Sequence, residues 1–173
     1  LLGSSNFTNN KNIIKKFNLF FRITKKQTLM NIEELINACE IFKKNKTGAL
    51  FVIERSNSLD FVRNTGDQLN LEISTPIIES IFFKNSPLHD GAVIIEGNFI
   101  TGARVILPMS EKENIDSRLG LRHRAAFGIT EKTDAIAIVV SEEKGEITFI
   151  KNGEIHPYQD IENLKTMIEV EMT

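Results

Sequence analysis

SPLHDGAVIIEGNFITGARVIL, residues 86–107, decides the reading of the fold. Ala92 to Ile95 and Phe99 to Leu107 are runs of strand formers, and Gly97-Asn98 between them is a tight-hairpin signal. Upstream, Thr75-Pro76 opens a helix with Pro76 in its first turn and Ile77, Ile78, Ile81 and Phe82 on its buried face. Asn85, Ser86 and Pro87 end that helix. Before it, Leu69, Leu71 and Ile73 alternate with Asn70, Glu72 and Ser74, the pattern of a half-buried strand. Ala49 to Ile53 is a further short apolar strand. A first helix begins near Asn31, which stands three residues before Glu34 in the spacing of a capping box. Ile32, Leu35, Ile36, Cys39 and Phe42 give that helix one buried face, and Lys43, Lys44 and Lys46 close it.

Downstream, Ser110 to Ser117 reads as a polar loop, and Gly120 opens a third helix over Leu121 to Thr130. Ala135 to Val140 and Glu146 to Ile150 are the last strands, turned by Lys144-Gly145. Hairpins interrupted by helices predict an α/β domain with a central mixed β-sheet flanked by helices. The domain spans 28–156. Residues 1–27 form a lead-in, and 157–173 form a C-terminal tail that is weakly helical through Ile161, Leu164 and Ile168.

Length and composition fit one soluble domain: 173 residues, with 41% hydrophobic and 25% charged side chains. Lysine and arginine number 21 against 23 acids, a net charge of −2, which argues against binding nucleic acid by bulk charge. A phosphate site must then be a local cluster. The lone Cys39 excludes a disulfide framework and a multi-cysteine metal site, and its place in a helical stripe reads as a small buried apolar residue. No apolar stretch is long enough to span a membrane. The chain starts at Leu1, as a fragment or processed product would. Phe17, Phe20, Phe21 and Ile23 mixed with Lys15, Lys16, Arg22, Lys25 and Lys26 fit a segment at a membrane surface, or equally an arm packed on the domain.

Three constellations carry chemistry. Arg122-His123-Arg124 follows Gly120 at a helix start, where backbone N–H groups and the dipole favour anions. Arginines there oppose the dipole unless an anion is bound, so the triplet reads as a phosphate site or as a solvated charged turn. His89-Asp90-Gly91 precedes an apolar strand. Asp90 there could ligate a hard metal or accept a proton, or simply make an Asp-Gly turn. Ser141-Glu142-Glu143 ends a strand; extended chain would face Ser141 and Glu143 one way and Glu142 the other. One glutamate could reach a metal, or the stretch is a polar strand end.

Together these motifs resemble the diadenylate cyclase (DAC) family, which carries Asp-Gly-Ala followed at this spacing by Arg-His-Arg. Here they are Asp90-Gly91-Ala92 and Arg122-His123-Arg124. Thr47-Gly48-Ala49-Leu50, Pro87-Leu88-His89, Ala125-Ala126-Phe127-Gly128-Ile129 and Val139-Val140-Ser141-Glu142-Glu143 are similar too, so the likeness runs from about Ile32 to His156. The resemblance implies the DAC-domain fold and condensation of two ATP into cyclic di-AMP with release of two pyrophosphates, across a face-to-face homodimer. It implies Asp90, Arg122, His123 and Arg124 as catalytic residues. Gly48, Gly91, Ala92, Leu107, Gly120, Leu121 and Ser141 would join the arginines and His123 in nucleotide binding. His89 and Glu143 would hold a divalent metal, Mn²⁺ or Mg²⁺, with Co²⁺ a further candidate. The family usually has threonine where Leu121 stands, which leaves a catalytically weak ATP or cyclic di-AMP sensor as the alternative. Likeness to the membrane-tethered class implies a tether and a regulator acting through an upstream region. It implies a cytosolic fragment from the cytoplasmic side of the cell membrane, with no nucleic-acid partner.

Overall fold

A computed structural model describes residues 30–173; the expected lead-in lies outside the described residues. Two wholly apolar strands set the architecture. β1 (Ala49–Ile53) and β5 (Ile136–Val140) are buried along their whole length, which requires cover on both faces of the sheet. They pair antiparallel, with Phe51 opposite Ile138. On its other side β1 runs parallel to β3 (Ala92–Glu96), with Phe51 opposite Val93. β3 turns through Gly97-Asn98 into β4 (Phe99–Val105), the hairpin read from the sequence. β2 (Asp67–Glu72) edges the sheet beside β4, while β6 (Ile147–Lys151) and β7 (Glu154–Ile155) extend it beyond β5. The result is a mixed seven-stranded sheet in the order β2-β4-β3-β1-β5-β6-β7, flanked by helices.

One face packs against α1 (Ile32–Asn45), where Phe42, Phe51 of β1 and Phe82 of a later helix form a triangle with ring centroids 5.2–6.5 Å apart. The opposite face carries α2 (Asp60–Arg63), through Leu59 and Val62. On the first face α3 (Thr75–Phe82) contributes Ile78, Ile81 and Phe82. On the second, α4 (Leu121–Lys132) lays Ala126, Phe127 and Ile129 over Leu50, Val52 and Val139. Cys39 is fully buried, and desolvation, reinforced by Glu40, pushes its thiol up to about 12.

Some local expectations change. The capping box at Asn31 does not form, because Glu34 has a better partner. Its Oε2 accepts from the Thr75 hydroxyl (2.6 Å) and the Thr75 backbone N–H (2.6 Å), so the carboxylate stabilises the positive end of α3 instead. Those two bonds, the hydroxyl's first, hold Glu34 below the usual carboxylate range. The backbone N–H of Asn31 donates to Oδ1 of Asn98, the turn residue of the β3–β4 hairpin (2.8 Å). α2 and β7, of four and two residues, are too short to show a periodicity.

The C-terminal segment is more than a tail. α5 (Ile161–Glu171) is capped by the Asp160 side chain accepting from Asn163 N–H (2.8 Å), and it buries Leu164 and Ile168 in the first-face core. We expect Leu164→Ala to lower the unfolding free energy by about 2–5 kcal/mol in urea denaturation. A loss below about 0.5 kcal/mol, typical of a surface change, would make α5 dispensable.

Candidate active site

Strand direction gathers the site. β1 and β3 are parallel and so begin at the same end of the sheet. β1 starts at Ala49 and β3 at Ala92, so Gly48 and Asp90 both lie just before a strand at this end. β5 finishes there with Val140 opposite Ala49, and β4 finishes there with Val105 opposite Ala92. α4 starts at this end too: Arg122 Nη1 lies 3.0 Å from Glu142 Oε2. Gly48 sits under that pair, where an added methyl would stand 2.7 Å from Arg122 Nη1 and 2.8 Å from Glu142 Oε2. The glycine therefore leaves the space that the pair fills.

The start of α4 is open. Gly120 provides no capping side chain, and no acid occupies the first turn. The Gly120 carbonyl accepts from His123 N–H (3.1 Å) and Arg124 N–H (3.2 Å), while the N–H groups of Leu121 and Arg122 have no carbonyl of the helix to meet. Arg122 and Arg124 are half-buried, whereas Leu121 is 76% exposed. Ser110 N–H donates to the Arg124 carbonyl (3.0 Å), tying the loop that follows Leu107 to this turn.

His123 departs from the arginines. It is buried, with Nε2 3.1 Å from Thr148 Oγ1 on β6. Burial holds its pKa below the ordinary value of 6.5, with Glu146 opposing and Lys144 adding. The sequence carried the signal: His123, Ala126, Phe127 and Thr130 follow i, i+3, i+4, i+7, and all are buried. His123 thus fastens α4 to the sheet.

At the other flank the backbone turns at Gly91, whose φ is +128°, with an added methyl 2.7 Å from the Arg104 Cα. Arg104 itself has φ +53°, at an irregularity in the β3–β4 pairing, and its Nε meets Asp67 Oδ2 at 3.1 Å. Asp90 is left exposed at the start of β3. His89 Nδ1 lies 2.6 Å from the Ser86 carbonyl. A carbonyl only accepts, so Nδ1 carries the hydrogen and Nε2 keeps a lone pair. Ala92 and Leu107 are buried, leaving backbone groups for any ligand.

Ser141 is pinned in a turn: its N–H donates to Glu146 O (2.9 Å), its carbonyl accepts from Gly145 N–H (2.8 Å), and its hydroxyl oxygen accepts from Lys144 N–H (3.3 Å). The hydroxyl proton can still be donated. The strand stops at Val140, and in the turn that follows Glu142 meets Arg122 while Glu143 is exposed. Among the described residues no group of three or more His, Cys, Asp or Glu forms a metal site, so His89 and Glu143 do not make a cluster of that kind. A cavity of about 660 Å³, lined by Met30, Glu54, Phe99, Thr101 and Met172, lies at the opposite end of the strands, where β1 and β3 finish.

Residues 36–155 match the family described as DisA bacterial checkpoint controller nucleotide-binding, DAC. The chain belongs to the DAC family. This DAC chain is 44% identical over 140 residues to "Cyclic di-AMP synthase CdaA" of Bacillus subtilis, covering 81% of the chain and 51% of that protein. It is 46% identical over 124 residues to a "Diadenylate cyclase" of Listeria monocytogenes, covering 72% of the chain and 45% of that protein. The DAC chain thus spans about half the length of these relatives. Among solved structures it resembles a double mutant of DacA from Staphylococcus aureus, with TM-score 0.78 and 35% identity over 82% of this chain and 94% of that one. It also resembles a hypothetical membrane spanning protein from Bacillus cereus, with TM-score 0.72 and 39% identity over 79% and 67%.

Because the native state holds His123 below its unfolded pKa, the unfolded chain binds that proton more readily. The stability from neutral His123 is complete above pH 6.5 and is lost as pH falls toward the lower native value. We expect unfolding free energy to fall more steeply with acidification from about pH 7.5 to about pH 5 in the native protein than in His123→Gln. Equal slopes in the two proteins would remove His123 as the cause.

Proposed function

We propose that this DAC domain is a diadenylate cyclase, condensing two ATP molecules into cyclic di-AMP and releasing two pyrophosphates. The observation that carries the reading is that Arg122 and the open start of α4 lie over Gly48, at the end of the sheet where the Asp90 strand begins. Phosphoryl transfer depends on positioning and charge stabilisation more than on covalent chemistry by the protein. Arg122, Arg124 and the free N–H groups of Leu121 and Arg122 suit a triphosphate and the charge that develops on the departing pyrophosphate. Asp90 suits the 3′-hydroxyl, as base or as orienting acceptor. The 3′-oxygen bonds to the α-phosphorus of the second ATP as the bond from that phosphorus to the bridging oxygen breaks. The hydroxyl proton goes to Asp90 or to water, and pyrophosphate leaves; the reverse attack closes the ring. His123 contributes as a positioning residue through α4. The Ser141 hydroxyl can donate to a phosphate, and backbone at Gly91 and Leu107 can meet ribose and adenine.

A homodimer follows from the chemistry, since one face carries one ATP and the product needs two. Ile106 and Leu121 are exposed apolar groups at this end of the sheet, of the kind a second copy would cover. His89, with its Nε2 lone pair oriented by the Ser86 contact, fits a divalent cation, and Glu143 is the carboxylate left over once Glu142 pairs with Arg122. Manganese or magnesium, with cobalt a further candidate, would supply neutralisation of phosphate charge there, the phosphates themselves completing the shell. We extend the reading to a cytosolic domain tethered on the cytoplasmic side of the membrane and regulated from upstream, resting on the basic, aromatic lead-in sequence. Among the described residues no helix is long and apolar enough to cross a membrane.

Incubation with ATP and Mn²⁺ is expected to yield cyclic di-AMP, with Asp90→Asn slowing the rate about 100-fold or more while ATP still binds by calorimetry. Binding without product in any divalent metal would favour the sensor instead. Leu121→Thr is expected to raise the rate, by up to about fivefold if the hydroxyl adds one phosphate hydrogen bond; an unchanged or lower rate counts against that contact.

A further inference from the structure

The ion pair over Gly48 has a function of its own. We propose that Glu142 is a positioning residue for Arg122. The inference rests on the cyclase reading above. Arg122 Nη1 meets Glu142 Oε2 at 3.0 Å. A methyl on residue 48 would stand within 2.8 Å of both atoms, nearer than a carbon can approach without moving them. Arg122 is the more enclosed partner, with 28% of its side chain accessible against 61% for Glu142.

The arrangement answers a problem set by the helix. A guanidinium in the first turn of α4 faces the positive end of the dipole, and before an anion arrives its several rotamers would take it away into solvent. Glu142 engages one terminal nitrogen from the side of the β5–β6 turn. The remaining N–H groups of the fork stay available to a phosphate. Glu142 itself is held by the turn that Ser141 closes through Gly145 N–H and Lys144 N–H. The carboxylate therefore orders the arginine before substrate binds and offsets part of its charge without filling the fork.

The alternative role is a competitor, a carboxylate that the triphosphate must displace. The two predict opposite signs. With the full chain and ATP, the steady-state KM and kcat of cyclic di-AMP synthesis are measured for the native protein, Glu142→Ala, Glu142→Gln, Gly48→Ala and the Glu142→Ala/Gly48→Ala double variant. Positioning predicts a KM about 2–5-fold higher for Glu142→Ala, in the range of an exposed ion pair, with kcat lowered by no more than a similar factor because Arg122 also meets the departing pyrophosphate. It predicts partial rescue in Glu142→Gln, which keeps an acceptor oxygen, and an unchanged melting temperature for both. Gly48→Ala keeps every charged group but makes the ends of both side chains shift, so whatever it adds to KM through the pair should be absent once Glu142 is gone, and the double variant should be no worse than the poorer single. A lower KM in Glu142→Ala would establish competition and overturn the proposal. An unchanged KM, or single effects that multiply in the double variant, would overturn it as well. A native protein that makes no cyclic di-AMP would instead defeat the cyclase reading, a result distinct from any of these.

Discussion

The first turn of α4 is held against the end of the sheet at which β1 and β3 begin and β4 and β5 finish, and the candidate site depends on that docking. Strand direction does the gathering. Because β1 and β3 are parallel, Gly48 and Asp90 lie just before their strands at one end of the sheet, and because β5 runs against β1, Ser141 and Glu142 arrive there as well. α4 brings two arginines and two free backbone N–H groups to the same place. His123, reaching inward to Thr148, and Ser110, bonded to the Arg124 carbonyl, fix that turn from two sides. Slackening either contact would move the arginines relative to Asp90, and phosphoryl transfer is sensitive to displacements of that size.

The electrostatics at this turn conflict with stable helix design. Two arginines face a helix N-terminus that has no acid in its first turn and no capping side chain. A helix built only for stability would carry Asp or Glu there, as α3 borrows Glu34. The opposite choice at α4 suits the proposed role of this turn in holding a triphosphate, an anion that both the dipole and the guanidinium groups would favour. Glu142 relieves part of the conflict while the site is empty.

Much of this was legible in the sequence, for identifiable reasons. The β3–β4 hairpin was announced by Gly97-Asn98 between strand-forming runs, and the core helices by their apolar spacing. Residue chemistry named the arginines, Asp90 and the Ser141–Glu143 stretch before any fold was known. What failed were assumptions of regularity at element ends. Alternation carried past Val140 could not say which glutamate reaches the site, because the strand stops there and a tight turn follows, from which Glu142 meets Arg122. Asn31 and Glu34 had capping-box spacing, yet tertiary packing offered Glu34 the start of another helix. Helical spacing places His123 on the buried stripe with Ala126, Phe127 and Thr130. The work of Gly48 could not be read locally, because the atoms that occupy its missing side-chain space come from residues 122 and 142.

The most direct test is a crystal structure of the protein with a non-hydrolysable ATP analogue and manganese. The account predicts the triphosphate on the open turn of α4, against Arg122 and Arg124, with the ribose turned toward Asp90 and a second copy facing it. A nucleotide lodged instead in the cavity lined by Met30, Phe99 and Met172, with the α4 turn empty, would contradict it.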